Sequence, residues 1–308
     1  MRLYRGLPAR ADQPVALTIG NFDGVHRGHQ AMLARLCEAA EDLGLPSAVM
    51  TFDPHPREFF APDAAPPRLS TTRMKLDLFR AFGVARCYVA RFDARLAGVS
   101  ADAFVDDVLV KRIGVRWVLV GDDFRFGRGR SGDLATLRAH ARTFSVETMT
   151  TIEVDGERAS STAVRDALAR GDMPHATALL GRPYALSGRV IHGEKLGRKL
   201  GFPTANIALR HAPALRGIFA VRVHGLPGGS RSGVASLGVR PTVAANAKPL
   251  LEVFVFDFDA PLYGKRVAVE FLHKLRDEAR YPDLESLVRQ IRTDVADARE
   301  YFAQRNAA

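Results

Sequence analysis

Residues 20 to 30 read Gly-Asn-Phe-Asp-Gly-Val-His-Arg-Gly-His-Gln and follow the apolar run Val15-Ala16-Leu17-Thr18-Ile19. A strand, a glycine-punctuated turn and a helix start in that order form a place where an α/β protein holds a phosphate, because free backbone N–H groups and the helix dipole both favour negative charge there. Gly20, Gly24 and Gly28 let the chain come close to a ligand. His26 and His29 stand three apart, so both lie on one side of the first helical turn and suit donation to phosphate oxygens. Asn21 and Asp23 add polar groups within the same turn. The chemistry this set suits is transfer at phosphorus by alignment and charge stabilisation.

Other segments carry similar residue types. Thr51-Phe52-Asp53-Pro54-His55-Pro56 ends a second apolar run and presents Asp53 and His55 on a proline-stiffened turn. Val120-Gly121-Asp122-Asp123-Phe124-Arg125-Phe126-Gly127 ends another, with an acidic pair suited to adenosine hydroxyls or to the second substrate, and Arg125 suited to a phosphate. Ser160-Ser161-Thr162-Ala163-Val164-Arg165 is a hydroxyl-rich helix start with an arginine one turn on; it serves equally as a helix cap and as an anion site. Further along, Gly193-Glu194-Lys195-Leu196-Gly197-Arg198-Lys199-Leu200-Gly201 precedes Phe202-Pro203-Thr204-Ala205-Asn206. It lacks the spacing of a Walker loop, yet its glycines permit a flap over phosphates charged by Lys195, Arg198 and Lys199. Thr204 and Asn206 offer neutral oxygen ligands for Mg²⁺. In Glu252-Val-Phe-Val-Phe-Asp-Phe258, a period of two puts Glu252, Phe254, Phe256 and Phe258 on one face. A carboxylate beside aromatic rings loses water and is better suited to accept a proton. Glu270, on the next strand, is the alternative base.

The elements that must position these groups change character along the chain. Up to about residue 180, strands predicted near 15–20, 47–52, 86–91, 116–121 and 145–150 alternate with helices near 28–43, 72–82, 101–113 and 132–142. Continuous apolar strands alternating with helices imply a parallel sheet covered on both faces. Short helices follow at 161–169 and 175–180. After Gly181-Arg182-Pro183 the chain is rich in short strands, at 184–192, 217–224, 231–238, 250–258 and 265–273, which predicts a small antiparallel barrel. A last helix near 284–303 carries Leu287, Ile291, Val295, Ala298 and Phe302 on one face and should pack on that barrel. The expected domains are residues 1–182 and 183–308.

At 308 residues, each domain is long enough to bury its own core, and 47% hydrophobic with 25% charged residues is ordinary for a globular protein. No apolar stretch approaches the roughly 18 residues that cross a bilayer, and a cytoplasmic protein without membrane partners is expected. Cys37 and Cys87 lack ligand spacing and read as buried thiols. The net charge of +10 is spread over 44 basic and 34 acidic residues with no stripe, so small phosphorylated molecules are the expected partners and nucleic acid is not. The oligomeric state is left open.

Gly-Asn-Phe-Asp-Gly-Val-His-x-Gly-His at 20–29 resembles the bacterial bifunctional riboflavin kinase/FMN adenylyltransferase family, also called FAD synthetases, within the nucleotidyltransferases that share His-x-Gly-His. Gly-Arg-x-Leu-Gly-Phe-Pro-Thr-Ala-Asn at 197–206 is similar to the riboflavin kinase signature, and residues 233–242 resemble a second stretch of that domain. The resemblance implies an α/β fold: a Rossmann-like nucleotidyltransferase domain with a parallel sheet, then a small antiparallel β-barrel with a C-terminal helix. It implies riboflavin phosphorylation to FMN in the barrel, adenylylation of FMN to FAD with release of pyrophosphate in the first domain, ATP as donor in both, and Mg²⁺. In the first domain it gives roles to His26, His29, Ser161, Thr162 and Arg165 in transfer, and to Gly20, Asn21, Phe22, Asp23, Gly24, Asp53, His55, Asp123 and Arg125 in binding. In the second it gives Gly193, Lys195, Gly197, Arg198 and Gly201 to nucleotide binding, Thr204 and Asn206 to the metal, and Glu252 to the base. Ala159 stands where family members often have a larger aliphatic residue, and Phe254 where they often have His.

Overall fold

Strand β2 (Val15–Ile19) has no exposed residue, and this follows from its place at the middle of a parallel sheet. The computed structural model describes residues 1–193, 197, 200–209, 211–238 and 249–306. By contacts it divides into two compact units, Met1–Pro66 with Ser70–Ser160, and Pro67–Leu69 with Ser161–Ala308.

In the first unit, β1 (Arg2–Arg5), β2, β3 (Ser47–Asp53), β4 (Arg86–Arg91), β5 (Val115–Gly121) and β6 (Ser145–Met149) form a sheet in the order β1-β4-β3-β2-β5-β6, parallel throughout. Strand alternation splits the core into two layers. Val15, Leu17 and Ile19 face Phe104, Val105, Val108, Leu109 and Ile113 of the helical segment 101–113. Ala16, Val49 and Leu119 face Leu33, Leu36 and Ala40 of α1 (Arg27–Asp42) and residues Leu76 and Phe79 further on. Gly44 follows α1 at φ +62°, the left-handed position that glycine takes at a helix end. The short α2 (Pro56–Phe60) comes after β3, and α3 (Thr72–Ala81) carries Leu76 and Phe79. Helices α4 (Ala94–Ala97) and α5 (Ala101–Ala103) lead to β5; α5 runs into a wider, π-helical stretch, Phe104–Ile113, so the single helix expected over 101–113 is wound in two ways. Helix α6 (Leu134–Ala139) and a two-stranded hairpin, β7 (Glu153–Val154) with β8 (Glu157–Arg158), complete the unit. Cys87 is buried, which pushes its thiol up to about 12, whereas Cys37 is only half-buried, its Sγ against the Phe82 carbonyl at 3.3 Å.

The second unit opens with α7 (Ser161–Arg170) and α8 (Met173–Leu180). These helices cluster with the barrel, so the contact division falls at 160/161 and the sequence division at 182/183. The reason is apolar area: Met173, Ala176, Leu179 and Leu180 of α8 are buried, and α8 packs against barrel strands. Strands β9 (Tyr184–Ile191), β10 (Thr204–Ala208), β11 (Gly217–His224), β12 (Arg231–Gly238), β13 (Leu250–Val255) and β14 (Arg266–Arg276) close in the order β10-β13-β12-β11-β14-β9. Five strands were expected; β10 is the sixth, and it pairs with both β13 and β9 to remove the open edge that five would leave. Strand β13 stops at Val255 because Asp257 turns at φ +52°, so Phe258 falls outside the period-two face expected for it. Helix α9 (Leu284–Asn306) lays Val295, Ala298 and Phe302 on Ile218, Ala220, Val234 and Phe256. Asp294 of α9 is buried and accepts two hydrogen bonds from the Arg276 guanidinium, at 2.7 and 2.6 Å.

Candidate functional site

In the first unit the strand order reverses at β2: β3 lies on one side and β5 on the other, and ligands of open α/β sheets bind outside the carboxyl ends of such strands. A cavity of about 790 Å³ sits there, lined by residues following β2, β5 and β6 and by the start of α1. The turn that feeds it is strained: Phe22 and Val25 have φ of +50° and +45°, a conformation costing each about 1–3 kcal/mol. The surroundings over-determine it. Gly24 N–H donates to Ser70 Oγ at 2.9 Å, and Ser70 donates from N and Oγ to the buried Asp23 carboxylate at 3.0 and 3.2 Å. The Phe22 ring is wholly buried, edge-on to Phe79 at 5.3 Å.

His26 stands at the N-cap position of α1 and stacks on His29 with ring centroids 3.7 Å apart; the Phe22 ring lies 4.9 Å from that of His29, tilted by 49°. Gly28 permits this: a Cβ there would meet the Ala159 carbonyl at 3.2 Å and the His26 ring at 3.3 Å. Burial first, then the His26 ring and the Lys75 ammonium, hold the His29 imidazole well below the ordinary histidine range. That shift favours the neutral imidazole, whose single ring N–H can donate a hydrogen bond.

The cavity takes in Gly20, Asn21, Phe22, His26, His29, Asp123 and Arg125, whereas Asp23 and Gly24 hold the turn from behind. Asp53 and His55 are not among the lining residues: Asp53 accepts from Thr72 Oγ1 at 3.0 Å, and His55 caps α2, its Nδ1 accepting from Arg57 N–H at 3.1 Å. Asp123 binds Arg158 at 2.7 Å and Arg125 binds Asp133 at 3.1 Å. The sequence reading missed an aromatic wall. Phe52 and Phe60 pack edge-on to Phe92 at 5.7 and 5.6 Å, and Phe124 stacks on Phe126 at 5.4 Å. Phe60 is 66% exposed although it lines the cavity, a surface suited to a flat heterocycle. The signal was present in Phe59-Phe60 and in the phenylalanines flanking Arg125. Ser161, Thr162 and Arg165 belong to the second unit, at the first turns of α7, where Arg165 Nε donates to the Pro67 carbonyl at 2.7 Å.

The barrel carries its own cavity, of about 260 Å³. Register explains which groups meet there: Glu252 of β13 lies opposite Asn206 of β10 and opposite Ser236 of β12, and Thr204 lies opposite Phe254. All five residues line the cavity, as does Gly197. Phe254 meets Phe202 and Phe256 edge-on at 5.6 and 5.8 Å, so Glu252 shares its strand face with an aromatic pair. Asn206 is 6% exposed, and its Oδ1 finds no hydrogen-bond donor among the described residues. Gly193 packs so close that a Cβ would come within 2.5 Å of the Asn206 amide. Gly201 turns at φ +87°. A buried, unpaired amide oxygen two residues from a threonine hydroxyl on one strand face fits a hard divalent cation such as Mg²⁺. Glu270 is not at this cavity; it pairs with His224 at 3.0 Å. Glu278, which sequence reading did not single out, is: partial burial pushes its carboxyl above the ordinary glutamate range, Arg216 and Arg276 pull it back, and the Glu252 carboxylate pushes it up again. Lys195, Arg198 and the 239–242 part of the second kinase stretch lie outside the described residues.

Each cavity thus pairs with a separate domain match. Residues 9–163 match the family model described as FAD synthetase, and residues 180–302 the one described as riboflavin kinase. A bifunctional riboflavin kinase/FMN adenylyltransferase of Pseudomonas fluorescens is 50% identical over 98% of both chains. One of the same description from Escherichia coli K12 is 45% identical, again over 98% of both. A solved Streptococcus pneumoniae structure described as a macrolide-efflux protein superposes with a TM-score of 0.80 at 26% identity, covering 96% of this chain and 97% of that one. Among the described residues no helix is long and apolar enough to cross a membrane. Two domain matches in this order, with relatives of half-identical sequence spanning the same length, leave one reading: the chain belongs to the bifunctional riboflavin kinase/FMN adenylyltransferase family.

Proposed function

We propose that residues 1–182 transfer an adenylyl group from ATP to FMN, giving FAD and pyrophosphate, and that residues 183–308 transfer the γ-phosphoryl group of ATP to riboflavin, giving FMN. Membership of the family supports both activities, and the small molecules riboflavin, FMN and ATP are the partners they require. The cytoplasm, where ATP is held, is the proposed location.

In adenylyl transfer an FMN phosphate oxygen attacks the α-phosphorus of ATP and pyrophosphate leaves. No protein nucleophile takes part. The N–H groups of the stacked His26–His29 pair stabilise charge developing on phosphate oxygens, while the phenylalanine wall seats a flat ring. The family pattern adds Ser161, Thr162 and Arg165 to this step, and Gly20, Asn21, Asp123 and Arg125 to substrate binding.

In the kinase step, Glu252 accepts the proton of the terminal ribityl hydroxyl, which then attacks the γ-phosphorus of ATP with ADP leaving. Thr204 and Asn206 would hold Mg²⁺, which when bound neutralises phosphate charge. The register that sets Asn206 directly opposite Glu252 is the observation that supports this assignment, because it brings a carboxylate and a neutral amide oxygen together on neighbouring strands of one small cavity. Incubation with riboflavin, ATP and Mg²⁺, followed by chromatography of the flavins, should show FMN and then FAD. Absence of both flavins from folded protein would overturn the reading.

A further inference from the structure

Lys75 is buried, only 4% exposed, on the core-facing side of α3, with Phe79 one turn on. Lysine is almost never buried without a specific partner. Its Nζ donates to the Asn21 carbonyl at 3.0 Å and to Thr51 Oγ1 at 3.1 Å, and Thr51 Oγ1 itself donates to that same carbonyl at 3.1 Å. Two donors from two different elements therefore converge on one backbone oxygen, that of the residue just before the strained Phe22.

We propose that Lys75 is a positioning residue for adenylyl transfer, its buried ammonium clamping the Asn21 carbonyl so that the turn carrying His26 and His29 is held in its strained form.

A trans peptide is planar, and its C=O and N–H point in opposite directions. Turning the Asn21 oxygen toward Lys75 turns the Phe22 N–H away from it, and the φ of +50° at Phe22 is the other face of that orientation. A non-glycine residue does not hold such a φ without compensation. If the clamp is released, rotation of this one peptide plane relieves Phe22 and swings a carbonyl oxygen into the turn. At a phosphate site that exchanges a donor for an acceptor. The Phe22 ring also packs against His29 at 4.9 Å, so the same movement disturbs that contact.

The clamp has an electrostatic consequence as well. The titratable groups acting on His29 are His26, stacked on it, and Lys75 from the facing helix. The Lys75 charge, acting with burial and the His26 ring, opposes protonation of His29 and favours a neutral N–H donor over an imidazolium. The inference rests on the assignment of His26 and His29 to FAD formation.

The test uses the full chain with Lys75→Met, which keeps an unbranched apolar stem and removes the charged terminal group, beside Thr51→Val, which removes one donor and leaves the charge. In Lys75→Met the rate of FAD formation at saturating FMN and ATP should fall at least about tenfold, the scale of a misplaced catalytic group, with riboflavin phosphorylation unchanged. The His29 imidazole, followed by NMR, should titrate at higher pH than in wild type, and the acid limb of the FAD-forming rate should move up with it. Thr51→Val should leave the His29 titration in place. Wild-type protein alone decides the matter if Lys75→Met does not fold: a His29 that titrates in the ordinary histidine range overturns the proposal. So does a folded Lys75→Met that loses only thermal stability, with an unmoved His29 titration. Normal FAD formation in His29→Ala would instead refute the histidine assignment itself, whatever Lys75 does.

Discussion

Replacing Glu252 by Gln isolates proton acceptance from everything else that side chain does. Glu252 sits across from Asn206 on one neighbouring strand and Ser236 on the other, half-buried, with Phe254 on its own strand face. Gln matches its volume and keeps one acceptor oxygen while an amide donor replaces the other, so stability should change by no more than about 0.5 kcal/mol. Loss of a general base costs about two to four orders of magnitude in rate, which at about 1.36 kcal/mol per decade is about 2.7 to 5.4 kcal/mol of transition-state stabilisation. Initial rates of FMN formation at saturating riboflavin, ATP and Mg²⁺, resolved by flavin chromatography, measure this directly. FAD formation from supplied FMN should continue. A second readout comes from Glu278, whose carboxyl is held up first by partial burial and also by the Glu252 charge. With that negative neighbour gone, Glu278 ionises more easily, and its titration, followed by carboxyl NMR, should move to lower pH. Near-normal kinase turnover in Glu252→Gln would refute the assignment and pass the role to Glu278, a second carboxylate at the cavity that is not tied up in an ion pair with Arg276 as Asp294 is.

His29→Ala should lower FAD formation by at least about tenfold, as expected for losing a donor to developing phosphate charge, with FMN formation near normal in the same preparation. Asp294→Ala leaves the Arg276 guanidinium without its buried partner and should destabilise the second unit by about 3–5 kcal/mol, read as a lower calorimetric transition; kinase activity should fall with it, because Leu287 and Ile291 of the same helix line the cavity. A fragment starting at Ser161 should melt at higher temperature than one starting at Pro183, since the second lacks α8 and its buried Met173, Leu179 and Leu180; equal melting temperatures would show that α8 adds nothing to the barrel.

Much of the scaffold was legible because apolar runs of five to seven residues ending in glycine or aspartate leave little choice. Strands β2, β3, β5 and β6 and helices α1 and α3 fall within one or two residues of expectation. What escaped was decided by partners. Strand β10 carries Thr204 and Asn206 on its cavity side and only five residues in all; nothing local marks it as a strand, and the pairing with β13 and β9 makes it one. Lys75 reads in sequence as an ordinary polar position of an amphipathic helix, and only the fold reveals that it faces inward. Glu278 lies beyond the end of β14, where alternation no longer predicts direction. His55 had the right type and neighbourhood for a ligand, yet the capping box with Glu58 occupies its Nδ1. Residue type and spacing identify what a turn could do; hydrogen-bond partners decide what it is free to do.

The two sheets solve the problem of exposed backbone in opposite ways. Closure leaves the barrel no unpaired strand, but the parallel sheet ends at β1 and β6. An outer strand offers a row of free N–H and C=O groups to any passing chain, and the usual protections are brevity and charge. β1 has both: it is four residues long, Arg-Leu-Tyr-Arg, with Arg2 and Arg5 exposed. A second copy approaching that edge would bring its own arginines against these, in a chain already carrying a net charge of +10. Arg2 and Arg5 line neither cavity; Arg2 pairs with Asp12 at 2.9 Å, and the exposed charge the two add at this edge disfavours the addition of a further strand.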